Sequence, residues 1–189
     1  MANSATEIVN SALAKLGAGR IISLDDNNEQ AKITKQQYEA LKLDLLGSHP
    51  WNFAIKQTTL NKSATAPVMD YTAKYPLPRD YIRLLNVDLP KNTSWKVEGK
   101  FLFTYMSDST VNIRYISKEI MEGDFTPMFA EVLALKIAAD VCYSLTQSTT
   151  LAEAMLAKYE RALRTARSFD GQESQGDRVY ADNWLNARY

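Results

Sequence analysis

The sequence predicts an α+β fold, mainly α: a helical bundle with a small antiparallel β-sheet inserted into it and an extended C-terminal tail. Three observations lead there. Apolar residues recur at three- and four-residue steps near both ends of the 189-residue chain. Between them, residues 51–116 carry short alternating apolar runs and Pro67, Pro76, Pro78 and Pro90. From Asp170 onward no period is sustained. The chain divides into one domain over residues 1–169, with the strand-rich insertion at 51–116, and a docking tail over 170–189.

The first helix is expected over residues 6–16, where Ile8, Val9, Ala12, Leu13 and Leu16 share a face, and Gly17 and Gly19 stop it. A short apolar piece, RIISL, follows. Asp25, Asp26 and Glu29 then suit a helix start, because acids stabilise the positive end of the helix dipole. That second helix is expected over 28–46, burying Ala31, Tyr38, Leu41 and Leu45. Gly47 supplies its stop, and Pro50 biases His49 away from helical geometry. In this corner, LLGSHPWNFA, the lone histidine reads as a cap meeting the last free carbonyls. Trp51 and Phe53 read as same-face anchors of a starting strand.

In the insertion, Lys100–Tyr105 places Phe101, Phe103 and Tyr105 on one strand face, and Val111–Ile116 does the same for Val111, Ile113 and Tyr115. WKVE at 95–98 precedes Gly99, which predicts a tight turn. These three runs read as one three-stranded meander, with Ile55–Leu60 and Asp80–Val87 as further strands. Thr126-Pro127 then opens a helix over 127–146 with a cap and a first-turn proline. Apolar residues on nearly every side of that helix mark it as enclosed. A QSTT turn leads to the last helix, 150–169, with a stripe of Ala152, Met155, Leu156, Tyr159, Ala162, Leu163, Ala166 and Phe169.

Lys158, Arg161, Arg164 and Arg167 recur at steps of three away from that stripe. They read either as a solvated face, interleaved with Glu153 and Glu160, or as a surface facing DNA or a neighbouring subunit. The tail is polar with a few large apolar side chains, Val179, Tyr180, Trp184, Leu185 and Tyr189, the pattern of a segment that orders on a partner.

Composition excludes several classes. Lysine plus arginine number 22, as do aspartate plus glutamate, so the chain lacks the basic excess of proteins that live on nucleic acid. One cysteine, Cys142, permits no internal disulfide, and one histidine leaves no metal-ligand spacing. No apolar run reaches the ~18 residues of a membrane span, and MANSATEIV lacks a leader's apolar core. GAGR lacks the lysine of a phosphate loop. The acids Glu119, Glu122 and Asp124 form the pairs a glycosidase would need, at a spacing any acidic segment offers. We expect no catalytic residues, metal or cofactor.

The order of segments resembles a known family. ALAKLGAGRIISLDDNNEQA leads through a long helix to LLGSHPWNFA, then to YPLPRDYIRLLNV and WKVEGKFLFTYMSDSTVNIRYI. The helical pair FAEVLALKIAADVCYSLTQSTTLAEAMLAKYERALRTARSFDGQE and a closing NWLNAR follow. Together they are similar to the head–tail connector or adaptor proteins of tailed bacteriophages, of the tail tubular protein A type. The resemblance implies a structural virion protein made in the host cytoplasm. It would form a dodecameric ring beneath the portal, extending the DNA channel and seating the next tail component, a nozzle or tail tube. It further implies non-specific contact with genomic DNA, no membrane and no enzymatic activity. Val179, Tyr180, Trp184, Leu185 and Tyr189 would then dock on the portal, and Lys158, Arg161, Arg164 and Arg167 would face the DNA channel or the next subunit. The rival from another class is a tail-associated hydrolase of cell wall or capsule polysaccharide.

Overall fold

A computed structural model describes residues 4–90 and 93–173. Among the described residues there are four α-helices and two three-stranded antiparallel sheets, an α+β fold. Helix α1 spans Ala5–Lys15 and α2 spans Glu29–Gly47. Six strands follow: β1 Ile55–Asn61, β2 Ala73–Pro76, β3 Tyr81–Val87, β4 Trp95–Glu98, β5 Phe101–Thr104 and β6 Thr110–Ser117. Helices α3, Pro127–Thr146, and α4, Thr149–Gln172, complete the described chain.

Local chemistry sets the helix ends. Ser4 and Glu7 form a reciprocal capping box at α1. Gly17, at φ +70°, closes it, with Ala18 N–H reaching Leu13 O at 3.0 Å and Gly17 N–H reaching Ala14 O at 3.2 Å. Asn28, Thr126 and Ser148 each cap the next helix by accepting a backbone N–H. Gly47 behaves differently from expectation: it is the last residue of α2, and Ser48 is the cap. A Cβ there would lie 3.3 Å from Ile82 Cγ2, so this glycine admits β3 against the helix end instead of turning the chain.

The helical core is built on α3, which packs against α1, α2 and α4. Phe129, Leu133, Ile137 and Cys142 are all fully buried along it. The expected all-round apolar helix is therefore central.

The insertion is two sheets, not one meander. The orders are β1-β6-β3 and β2-β5-β4. WKVE and FLFT do pair across the Gly99 turn, with Glu98 opposite Phe101. VNIRYI instead crosses to the other sheet, between β1 and β3. The reason is burial: Leu102 from one sheet and Val111, Ile113 and Tyr115 from the other meet in a second core, closed by Leu60, Tyr75 and Val87. A single sheet would leave those faces in water. Strand β6 alternates until Tyr115, after which Ile116 joins the helical core and Ser117 is buried too.

Asp80 ties this strand's end to the rest of the sheet. Its carboxylate accepts from Ser117 Oγ at 2.6 Å and from Tyr115 Oη at 3.1 Å, and meets Lys56 Nζ at 3.2 Å. Burial alone would raise the Asp80 carboxyl, but the Ser117, Lys56 and Tyr115 hydrogen bonds hold it below its ordinary value. Burial, with the bond to Asp80, pushes the Tyr115 phenol up to about 12.

A depressed carboxyl stabilises the fold fully above its unfolded pKa of about 3.9, and that contribution is lost as pH falls through the lower folded value. Asp80→Asn should therefore cost about 1.5–3 kcal/mol at neutral pH, with the difference from wild type shrinking below about pH 4. Urea unfolding across pH 2.5–7 measures it.

Candidate functional site

The α2–β1 corner gathers more long-range polar contacts than its local sequence suggests. Trp51 is not in a strand: residues Asn52–Ala54 form a single 3₁₀ turn. Its indole N–H donates to Leu45 O at 2.9 Å, a carbonyl at the helix end that also accepts from Ser48 Oγ at 2.8 Å. The indole sits edge-on to Phe129 at 5.1 Å, and Phe53 meets the same ring at 4.9 Å. The expected anchoring role of the pair stands, from a tighter turn.

His49 does not cap α2. Its Nε2 lies 3.1 Å from Asp170 Oδ2, and its ring packs edge-on to Trp51. Asp170 also accepts from Asn52 N–H at 3.0 Å through its other oxygen, and its backbone carbonyl accepts from Asn52 Nδ2 at 2.7 Å. Asp170 was expected to open the tail. Instead α4 runs three residues past the expected end, to Gln172, and its last turns are fastened to the corner. Asp170 lies four residues after Ala166, on the buried stripe, which was the available signal.

The basic series does not form one surface. Steps of three fall about 60° short of a turn each time, so positions nine residues apart lie on opposite sides of a helix. Lys158, Arg161 and Arg164 are exposed, whereas Arg167 is half-buried. Arg167 Nη2 donates to Ser48 O at 3.3 Å, and its buried Nε has no hydrogen-bond partner. Lys158 and Arg161 edge a groove of about 600 Å³ floored by Met128, Val132, Leu135 and Ala162. Lys15, on the α1 side of this groove, is paired with Glu131 at 3.0 Å. The expected portal-docking residues Val179, Tyr180, Trp184, Leu185 and Tyr189 lie outside the described residues.

Among the candidate acids, Glu122 belongs to a structural pair. Glu122 meets Lys42 at 3.2 Å and accepts from Tyr38 Oη at 3.3 Å. Burial would raise the Glu122 carboxyl, but its own backbone N–H and the Lys42 and Tyr38 contacts hold it below the usual range. A glycosidase acid needs the opposite shift. Cys142 is buried, with its Sγ 3.5 Å from Thr146 Oγ1. Among the described residues, no three acidic, histidine or cysteine side chains converge as a metal-binding group, and no helix is long and apolar enough to cross a membrane.

No protein-family model and no curated protein matches this sequence.

The split series makes a direct expectation. Arg161→Glu with Arg164→Glu should leave stability within about 0.5 kcal/mol of wild type, because both side chains are exposed. Arg167→Glu should cost about 1–2 kcal/mol, since it removes the donor to Ser48 O and brings a second carboxylate near Asp170. Chemical denaturation of the two variants separates these cases.

Proposed function

We propose that this protein is a structural subunit of the head–tail junction of a tailed bacteriophage, forming a ring beneath the portal, joining head to tail and extending the DNA channel. The observation that carries this reading is the fastening of α4. Asp170 binds His49 and Asn52 where the helical bundle meets the β-sheets, so the end of α4 is a fixed point. A docking segment with Trp184 and Leu185 as anchors gains from such a start, because less orientational freedom is lost on binding.

The order of segments over nearly the whole chain supports the same reading. Glu122, one of the acids the rival hydrolase would draw on, is engaged by Lys42 and Tyr38. The partners are then the portal, the next tail component and further copies of the chain, twelve in the implied ring. Arg167 is committed to the corner, so contact with channel DNA or with the next subunit falls to Lys158, Arg161 and Arg164.

The test is assembly. Alone, the protein should be a monomer or weak oligomer by mass photometry, and with its cognate portal it should form a ring visible by electron microscopy. Deleting residues 174–189 should leave circular dichroism unchanged and abolish portal binding, with Trp184→Ala intermediate. Many weak attachments add up on a symmetric ring, so one lost anchor weakens binding steeply. A stable dimer indifferent to portal overturns the proposal.

A further inference from the structure

Helix α4 packs on α3 with a hollow on either flank, and the two hollows carry opposite charge. On one flank is the groove between α1, α3 and α4, of about 600 Å³. Its lining holds three cations, Lys15, Lys158 and Arg161, and one acid, Glu131, which Lys15 neutralises at 3.0 Å. Lys158 and Arg161 remain in excess. Both are exposed, and neither has an acid three or four residues away on α4, the spacing at which helix partners meet. On the other flank a hollow of about 380 Å³ lies between α2, α3 and α4. Its one cation, Lys136, is paired with Asp44, which leaves the exposed acids Asp140 and Glu153 in excess.

We propose that the basic groove of one copy of this chain receives the acidic α2–α3–α4 flank of a second copy. Lys158 and Arg161 meet Asp140 and Glu153, two surplus cations against two surplus acids. The inference rests on the ring reading above and names its lateral contact. Each flank also exposes an apolar side chain beside its charges: Met128, 36% exposed, borders the groove, and Leu156, 49% exposed, borders the hollow. Leu156 of the second copy then covers the groove floor of Val132, Leu135 and Ala162. Apolar burial at the centre supplies affinity, and the complementary charges around it select the partner surface and fix the register.

Direction agrees with this. Lys158 and Glu153, five residues apart on α4, lie about 140° apart around its axis. The two flanks are therefore different surfaces on different sides of one helix, and their contact is heterologous. A copy whose groove is filled still presents its acidic flank to the next, so association continues until the chain of copies closes. A self-complementary dimer would instead set like charge against like.

A charge exchange in the full chain tests it, read by sedimentation at rising concentration and by ring formation on the portal. Lys158→Glu with Arg161→Glu makes both flanks acidic, and Asp140→Lys with Glu153→Lys makes both basic. All four side chains are exposed, so the changes fall on the surface. Each double variant alone should weaken association about tenfold or more, because like charges then face each other. All four changes in one chain exchange the signs of the two flanks and should restore association. An equal mixture of the two double variants should restore it as well, as alternating copies, and this rescue shows that both are folded. A double variant that assembles like wild type, or a fourfold variant that does not recover, overturns the contact, and rings that still form on the portal leave the ring reading standing. Loss of assembly on reversing Lys158 and Arg161 alone, with Asp140 and Glu153 indifferent, gives the groove another acidic partner and overturns the contact too. A wild type that neither self-associates nor forms rings on the portal overturns the ring reading and this contact with it.

Discussion

The indole of Trp51 is the point on which the two halves of the molecule depend. It is 1% exposed, it closes the end of α2 through Leu45 O, and its ring separates Phe129 from His49. An aromatic of this size removes about 150–250 Å² from water, on the order of 4–6 kcal/mol at about 25 cal/mol per Å². Placed where the chain leaves the bundle, that energy fixes the direction of β1. Strand β1 pairs with β6 along its whole length, and β6 carries both cores, so the angle set at the corner is passed to both sheets.

The polar contacts around this wedge act on direction more than on stability. His49, Asn52 and Arg167 could each be hydrated at little cost if α4 ended sooner. Because Asp170 accepts from the Asn52 backbone while meeting His49, the last turns of α4 cannot fray without exposing both partners. Asp80 does the corresponding work at the far end of the corner, joining β1, β3 and β6 through Lys56, its own backbone and Ser117. Two buried carboxylates thus brace the junction.

How much of this was legible in the sequence follows from the range of each interaction. Helix boundaries came out within one to three residues because caps are local: Thr126-Pro127, Ser148 and Gly17 carry their geometry with them. Strands were legible as strands, since alternation is local too, but their pairing was not. Ser107-Asp108-Ser109, between β5 and β6, has the look of a hairpin turn, and only the opposing burial of Leu102 and Ile113 separates the two strands into different sheets. The His49–Asp170 contact spans 121 positions, and nothing near His49 names its partner. Likewise RIISL shows two adjacent isoleucines, and Asn10, eleven residues earlier, decides which one is buried.

Helix α4 shows why a basic series read from spacing alone misleads. A repeat of three precesses around a helix whose turn is 3.6 residues, so the four cations sample half its circumference. One end of the series reaches the groove, the other reaches the corner, and Arg164 alone between them is committed to neither. The same precession gives one helix two duties. Lys158 and Arg161 line the groove beside α3, and Arg167 with Asp170 holds the last turns against the α2–β1 corner.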